Sequence, residues 1–432
     1  MSATFAQEQK TLGVGVRIQH RTTKHLRYVP RIDEHAHALA VGFREPGHLA
    51  ATRLERLRER LWRAPLQLEL IRRHGSSPEA LRSPDDLAHM PLLDRETLGA
   101  RWQESFALGL DAQTEAELVV ATSSGSTGKA LLAVRDGYDQ LHMWAAIRFW
   151  IGQLGVQLPA RPRLALLDAL PGGLEYSTRL PHFERGALHR ISTARPEPKT
   201  RVERVQPAIL SSDPAGLHWL ASNTPNIAPK LIMSSAQHLP HSQRHELQRW
   251  NAPLVNVYAI TECGPIAWEC VQRSGVFHPL QPDVIVESIA GELVVTRLRD
   301  SVVPLLRYRT GDAGAVFDDV CACGFRGRSI RDFLGRRACH FVRPGGAKCD
   351  AWNLIWLFKD LPWVGFRMTQ IKPEQFLVEL DGPAPMGDAL LAERLALALQ
   401  RLGWAKPDIE ISHVPQLANG LKPEPFVCRV GS

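Results

Sequence analysis

Apolar positions recur at helical spacing between Pro46 and His74, among many arginines. An apolar side chain at every third or fourth position is typical of a helix with one buried face. Pro65 interrupts the pattern and, because proline lacks the N–H that a helix interior needs, predicts two helical segments instead of one. We interpret the arginines as a solvated helix face.

Short apolar runs then alternate with helical stretches. The first run, 118–121, precedes a loop rich in glycine and serine, and the aromatic-rich stretch 138–153 predicts a helix. Short apolar strands separated by helices are typical of an α/β domain with a largely parallel sheet. Four later runs have the length of buried strands: 164–167, 208–210, 231–233 and 254–258. Residues 285–288 and 291–296, joined at Ala290-Gly291, predict a β-rich subregion at about 265–330.

The character of the pattern changes near residue 334. A β-like run at 375–380, a turn at 381–383, a helix over about 388–402 and a β-like run at 408–411 follow. These elements predict a small α+β unit of ordinary domain size. We therefore predict an α/β protein with a large N-terminal domain at 1–334 and a small C-terminal domain at 335–432.

Composition narrows the class of protein. Hydrophobic residues make up 44% and charged residues 22% of the 432 positions, the balance of a globular chain with more than one core. No apolar run is long enough to cross a bilayer, and the first 20 residues lack the apolar core of a secretory signal. The net charge of +7 is spread along the chain. We expect a cytoplasmic protein that binds neither membrane nor nucleic acid.

The densest cluster of glycine and hydroxyl residues follows the first strand. It comprises Ser123, Ser124, Gly125, Ser126, Thr127, Gly128 and Lys129. Such a loop can turn its backbone N–H groups toward a polyphosphate, and Lys129 adds a mobile positive charge. The two glycines are too close together for a Walker A loop. Taken alone, the segment also fits a flexible surface turn.

Other segments favour a nucleotide. Tyr258, Thr261 and Glu262 stand at the end of a predicted buried strand, where an aromatic ring can stack on a purine and a carboxylate can hold Mg²⁺. The carboxylate of Asp312, in Arg-Tyr-Arg-Thr-Gly-Asp, suits the two hydroxyls of a ribose. Gly335-Arg336 and a late Gly-Leu-Lys that ends at Lys422 follow.

The order SSGSTGK, YAITE, RYRTGD, LGR and a late Gly-x-Lys resembles the adenylate-forming superfamily of acyl-CoA synthetases. The Ser-Ser-Gly loop and the Cys-x-Cys before LGR are most similar to the phenylacetate–CoA ligase branch, over about residues 91–422. The resemblance implies an AMP-forming acid–CoA ligase. Such an enzyme joins a carboxylic acid to AMP with loss of pyrophosphate and then passes the acyl group to CoA.

The resemblance also implies roles for matching residues. The loop would hold the phosphates of ATP, Thr261 would contact the α-phosphate and Glu262 would bind Mg²⁺. Lys422, on a mobile small domain, would stabilise the charge that develops during attack on the α-phosphate. The adenosine-binding set is Tyr258 with Ala259, the segment Ser235, Ala236 and Gln237 (Gln where the family has Glu), and the ribose pair Asp312 and Arg336. The acid pocket is expected at His142, Gly172, Gly173, Ala259 and Ile260, for an aromatic or apolar acid.

One departure leaves the acceptor open. Two positions after the arginine of LGR, where many relatives have the Asp or Lys about which the small domain rotates, stands Ala338. The acyl group could therefore pass to CoA, to an amine or to a carrier-protein thiol. A non-catalytic, zinc-containing binding protein on the same fold is the alternative from another class. The resemblance leaves the oligomeric state open, with a homodimer among the states allowed.

The cysteines are clustered. Six of the seven lie between Cys263 and Cys349, and Cys270, His278, Cys321 and Cys323 form a Cys-x₇-His…Cys-x-Cys set. Three thiolates and one imidazole satisfy tetrahedral Zn²⁺, and phenylacetate–CoA ligase relatives carry a similar set. We expect a structural zinc in the β-rich subregion; four unrelated buried residues are the alternative.

Overall fold

The structure is a computed structural model of the chain. It describes residues 29–45, 47, 49–108, 118–122, 132–168, 175–180, 183–193, 195–236, 239, 241–335, 339–354, 357–358, 365–381, 384, 386–414 and 426–430. Two compact units are seen, Met1–Val119 with Val134–Phe333, and Val120–Ala133 with Leu334–Ser432. The predicted domains 1–334 and 335–432 remain a prediction, and the second unit differs from them by taking in Val120–Ala133.

The first unit begins with helices. They are α1 (Val29–Arg44), α2 (Leu49–Trp62), α3 (Pro65–Arg73) and α4 (Arg95–Ala100). Pro65 occupies the first turn of α3, where its missing N–H costs nothing, so the predicted division of this region into two helices is confirmed. None of the described helices is both long and apolar enough to cross a membrane.

The interpretation of the α2 arginines as a solvated face is wrong for three of them, while Arg58 is exposed. Arg53 donates to the Gln281 carbonyl at 3.2 Å and Arg56 to the Pro282 carbonyl at 2.9 Å. Arg60, only 6% exposed, donates to the Leu298 carbonyl at 3.3 Å. These acceptors lie 226–238 positions further along the chain, so the helix pattern by itself carries no sign of them.

A 12-stranded sheet forms the centre of the first unit, in the order β11-β12-β13-β14-β10-β9-β8-β7-β6-β3-β5-β4. A separate two-stranded sheet consists of β1 (Val119–Thr122) and β2 (Leu132–Arg135). The central strands are β3 (Arg163–Asp168), β4 (Tyr176–Leu180), β5 (Gly186–Ser192), β6 (Ile209–Ser212), β7 (Leu231–Ser235), β8 (Leu254–Ile260), β9 (Gly264–Glu269), β10 (Phe277–Pro279), β11 (Val284–Ile289), β12 (Glu292–Arg297), β13 (Tyr308–Val320) and β14 (Arg326–Gly335).

The neighbours β5, β3, β6, β7 and β8 run parallel, and both faces of this part are covered. Leu164 and Val255 pack in one cluster with α1 and α5 (Gly137–Gln153). Ala165 and Ile232 pack in another with α6 (Pro198–Val205), α7 (Pro214–Asn223) and α8 (His241–Leu247). Burial on both faces explains the continuous apolar runs of the sequence. Antiparallel pairing from β8 to β10 and from β11 to β13 makes the sheet mixed, and the predicted α/β fold class is confirmed.

The second unit is α+β. Its four-stranded sheet has the order β19-β18-β17-β20. The strands are β17 (Gly365–Lys372), β18 (Gln375–Asp381), β19 (Asp408–His413) and β20 (Phe426–Cys428), beside the hairpin β15 (His340–Val342) and β16 (Lys348–Asp350). Helix α9 (Asp388–Arg401) packs Leu391, Leu395 and Leu399 into the apolar cluster of this unit.

Candidate active site

Strands β7 and β8 end side by side, with Ser235 opposite Val257. Ligands of α/β sheets bind at the carboxyl ends of the parallel strands, where the chain leaves the sheet and the loops can turn polar groups toward a ligand. Ser235 and Ala236 stand at this end of β7, and Thr261 and Glu262 directly follow β8. Ala236 has a φ of +76°, an uncommon backbone conformation for a residue with a Cβ.

Tyr258 and Asp312 meet across the sheet. The Tyr258 hydroxyl donates to Asp312 Oδ2 at 2.8 Å, although the two residues are 54 positions apart. Burial, followed by the negative charge of Asp312, raises the pKa of Tyr258 well above its ordinary value, so the phenol keeps its proton and remains a donor. The Tyr258 ring is 4% exposed and packs against Phe333, with the ring centroids 4.4 Å apart.

Glu262 is held in place by two partners. Arg95 Nη1, from α4, lies 2.5 Å from Glu262 Oε1, and the Tyr308 hydroxyl donates to the same oxygen at 3.1 Å. The carboxyl side chain is only 5% exposed. Two hydrogen bonds to one carboxyl oxygen fix the orientation of the side chain, so the site presents an oriented carboxyl group.

The His142 ring is paired with the carboxylate of Asp283. His142 lies in α5, is 1% exposed, and contacts Asp283 Oδ2 through Nε2. His35 Nε2, from α1, lies 2.8 Å from the same oxygen. That separation is typical of a hydrogen bond, and shorter than the spacing of ligand atoms around a bound metal. Burial lowers the pKa of His142 to about 4, which keeps its ring neutral. Its predicted role in the acid pocket remains a prediction.

The four predicted zinc ligands converge. Cys270 follows β9, His278 lies in β10, and Cys321 and Cys323 lie in the turn after β13. Their ligand atoms all lie within 4.8 Å of one another; the two sulfurs of Cys270 and Cys321 are 3.6 Å apart, and Cys323 Sγ is 3.3 Å from His278 Nε2. These separations are close to the edges of a tetrahedron around Zn²⁺.

The second ring nitrogen of His278 fits the same interpretation. Ser329 Oγ donates to Asp319 Oδ2 at 2.9 Å, so it can accept from His278 Nδ1, which is also 2.9 Å away. Nδ1 then carries the ring proton, and the lone pair of Nε2 points toward the three cysteines and is available to a metal. This is the arrangement of metal-binding histidines. Burial lowers the pKa of His278 to about 4, so the ring is neutral, as a ligand must be. The donor set and its surroundings therefore fit Zn²⁺.

Several predicted residues lie outside the described part of the chain. They are Ser123, Ser124, Gly125, Ser126, Thr127, Gly128, Lys129, Gly172, Gly173, Gln237, Arg336, Ala338 and Lys422. The structure describes the strands on either side of the predicted phosphate loop, β1 and β2. Of the acid-pocket residues at the end of β8, Ala259 is half-buried and Ile260 is buried.

The chain is similar to known proteins in sequence and in fold. No protein-family model matches the chain. The phenylacetate-coenzyme A ligase of Thermus thermophilus is 25% identical over 319 residues, which cover 67% of this chain and 69% of that protein. The enzyme of the same name from Pseudomonas putida is 26% identical over 298 residues, 60% of this chain and 64% of that protein, which is less than two thirds of its length. This chain is phenylacetate–CoA ligase-like.

Solved structures agree on the fold of this phenylacetate–CoA ligase-like chain. A 2-hydroxyisobutyryl-CoA ligase in complex with 2-HIB-AMP and CoA, in the thioesterification state, superposes with a TM-score of 0.58 over 93% of this chain and 92% of that one. The same ligase in a postadenylation state gives 0.54 over 88% of each chain. At 13–14% identity these likenesses establish the adenylate-forming fold and nothing finer.

The two partners of Glu262 are not predicted from the sequence. Arg95 belongs to none of the motifs, and the sequence carries no signal that it pairs with Glu262. Tyr308 does lie inside Arg-Tyr-Arg-Thr-Gly-Asp, but only Asp312 of that motif was given a role. Its position in the motif is the one signal that could have found it.

Proposed function

We propose that this protein activates a carboxylic acid, aromatic or otherwise apolar, as its acyl-adenylate and transfers the acyl group to CoA. The observation that carries the proposal is the Tyr258–Asp312 hydrogen bond beside the oriented carboxylate of Glu262. Motif residues that are far apart in the sequence meet where α/β sheets bind nucleotides. The similarity to phenylacetate-coenzyme A ligases and the adenylate-forming fold support the same reaction.

The first step forms a mixed anhydride. An oxygen of the carboxylate attacks the α-phosphorus of ATP, a new P–O bond forms, and pyrophosphate leaves with the electrons of the broken bond. In the second step the CoA thiol loses its proton and attacks the acyl carbon, and AMP leaves. Both reactants of the first step are anions and repel each other. Positive charge and fixed orientation are therefore what lower the activation barrier most.

The chain's own residues would supply orientation and charge. Asp312 would accept hydrogen bonds from the ribose, and the Thr261 hydroxyl would contact the α-phosphate. Arg336 would also bind the ribose, as the resemblance implies. Glu262 would bind Mg²⁺, which neutralises phosphate charge when present. Because Arg95 Nη1 lies 2.5 Å from Glu262 Oε1, the protein itself holds the carboxyl group in one orientation. Lys422 would bring a further positive charge to the α-phosphate.

We further propose that Cys270, His278, Cys321 and Cys323 hold a structural Zn²⁺. The support is the tetrahedron-like spacing and the Ser329 partner of His278. Four protein ligands fill a tetrahedral ion, so this site supports the fold and takes no part in the reaction.

The test is acid-dependent exchange of labelled pyrophosphate into ATP, with a panel of aromatic, aliphatic and hydroxy acids. Exchange with at least one apolar acid supports the proposal. A folded protein that catalyses no exchange with any acid contradicts it and favours the non-catalytic binding protein. With a productive acid in hand, CoA, amines and a carrier protein are added in turn and the acyl product is identified by mass. A product with an amine or a carrier protein but not with CoA refutes the CoA half.

A further inference from the structure

Three arginine side chains converge on the turn that joins β8 to β9, here called the 261–263 turn (Thr261, Glu262 and Cys263). Arg135 Nη2 donates to the Thr261 carbonyl at 2.7 Å. Arg297 Nη1 donates to the Glu262 carbonyl at 3.2 Å, and Arg299 Nη2 donates to the Cys263 carbonyl at 2.5 Å. Three successive backbone carbonyls are thus each held by a guanidinium group. The turn is fixed by side chains from other elements.

The arginines tie the turn to the start of α5. Arg299 forms an ion pair with Asp139, and the Ser301 hydroxyl donates to Asp139 Oδ2 at 2.8 Å. Asp139 lies in the first turn of α5, where the side chain of Asp136 caps the helix by accepting from the Asp139 N–H at 2.7 Å. Arg135 is the last residue of β2. Of the two elements that follow the predicted phosphate loop in sequence, β2 contacts the 261–263 turn through Arg135, and α5 is linked to it through the Asp139–Arg299 pair.

Electrostatics show that this network is costly. Burial lowers the pKa of Arg135 and of Arg297. Burial is also the largest single influence on Arg299, but the charges and hydrogen bond of its neighbours, Asp139 foremost, together outweigh it and raise the pKa of Arg299. Buried ion pairs add little to stability compared with an apolar core, because desolvation cancels most of their attraction. A network of this kind is better explained by the geometry that it enforces.

The backbone of the turn makes room for Arg299. Gly264 has a φ of +80°, and a Cβ at this position would lie 3.0 Å from Arg299 Nη2. Glycine reaches this conformation without strain and leaves the guanidinium its place against the carbonyl of Cys263.

We propose that Arg299, together with Arg135 and Arg297, is a positioning residue for adenylation, an inference that rests on the proposed function. By holding the carbonyls of the 261–263 turn, the three arginines fix the direction in which the side chains of Thr261 and Glu262 leave the backbone. The Asp139–Arg299 pair keeps that direction in register with α5. The arginines act on the site through these backbone carbonyls.

The test compares variants in pyrophosphate exchange at varied Mg²⁺, with the acid identified above. In Arg299→Met we expect the half-saturating Mg²⁺ concentration to rise and kcat to fall, each by roughly tenfold, because misplacing a binding group by a fraction of an ångström removes much of its effect. The KM for the acid should stay within about twofold. Arg299→Lys should restore part of the loss, since it keeps a cation near Asp139.

Two further variants separate positioning from folding. Arg299→Met leaves Asp139 buried without its main partner, so the double variant Asp139→Asn/Arg299→Met, which removes both charges of that pair, should be more stable than Arg299→Met. Arg297, whose Nη1 lies 3.8 Å from Asp139 Oδ1, keeps its carbonyl acceptor at Glu262. The double variant should keep the Mg²⁺ defect. Arg53→Met is the matched control, because Arg53 also donates to a backbone carbonyl, that of Gln281 at 3.2 Å. It should lower thermal stability and leave the Mg²⁺ requirement unchanged.

Amide hydrogen exchange of a peptide covering residues 258–266 tests the same inference without any activity. The double variant should exchange faster there than the wild type, and Arg53→Met should not. Unchanged exchange in the double variant overturns the positioning role, as does an Mg²⁺ requirement that Arg53→Met raises equally. A wild-type protein without pyrophosphate exchange refutes the proposed function instead, and in that case the peptide measurement decides whether the arginines hold the turn.

Discussion

Removing the proposed zinc cross-link should destabilise the first unit by a predictable amount. The perturbation is Cys321→Ser, which takes one thiolate from the set of Cys270, His278, Cys321 and Cys323. Serine is close to cysteine in size but binds Zn²⁺ poorly, so the packing changes little and the metal is lost. The free energy of unfolding should therefore fall mainly by the worth of the cross-link.

Loop length gives the magnitude. A metal bridge between Cys270 and Cys321, 51 positions apart, restrains the unfolded chain as a disulfide of the same span does. The chain-entropy relation for such a loop yields about 4 kcal/mol at 25 °C. For a unit of about 320 residues, that loss lowers the Tm by roughly 6 °C.

The assay combines metal analysis with thermal unfolding. Wild-type protein should contain about one zinc per chain, and Cys321→Ser should contain almost none and melt earlier by the amount given. Cys428→Ser, in the second unit and outside the cluster, is the control and should keep both the zinc and the Tm. A wild-type zinc content near zero, or an equal Tm for Cys321→Ser and Cys428→Ser, contradicts the proposed zinc cross-link.

Three further predictions concern other parts of the chain. Burial lowers the pKa of His189 from 6.5 to about 4, so on acidification the unfolded chain binds a proton that the folded chain does not, and this group costs about 3 kcal/mol of stability by pH 4. His189→Asn should remove that part of the pH dependence, measured by urea unfolding at pH 7 and pH 4.5. If the stability difference between the two pH values is unchanged in the variant, His189 is not its source. Asp312→Asn keeps an acceptor for the Tyr258 hydroxyl but removes the charge, and should raise the KM for ATP by roughly tenfold with little change in Tm; a larger effect on Tm than on KM would show a structural role. Trp404→Ala empties a fully buried site and breaks the 2.8 Å hydrogen bond to the Pro373 carbonyl, so the second unit should lose about 3–5 kcal/mol, seen as faster amide exchange confined to that unit.

The local elements could be predicted from the sequence because their signals are local. The stretch 138–153 predicted a helix and the structure has α5 at Gly137–Gln153, while the run 408–411 became β19 at Asp408–His413. Hydrophobic periodicity is set by the repeat of the element itself, so it survives without knowledge of the partner. Pro65 divided two helices for the same kind of local reason.

The charged network could not be predicted, because its pairs are far apart and carry no periodic signal. Arg299 and Asp139 are 160 positions apart, and Arg95 and Glu262 are 167 apart. An arginine on a surface helix and one that reaches a buried carbonyl look alike in sequence, which is why Arg60 was assigned to solvent. The cysteine cluster was easier, since few uses of Cys-x-Cys beside a histidine compete with metal binding.

The proposed adenylation is tested most directly by identifying the product that forms from ATP and an acid without any acceptor. The protein is incubated with ATP, Mg²⁺ and the panel of acids, and the mixture is analysed by mass spectrometry. We expect an acyl-adenylate for at least one apolar acid, with one pyrophosphate released for each AMP transferred. Folded protein that forms no acyl-adenylate with any of the acids, or that cleaves ATP only to ADP and phosphate, would contradict the proposed adenylation.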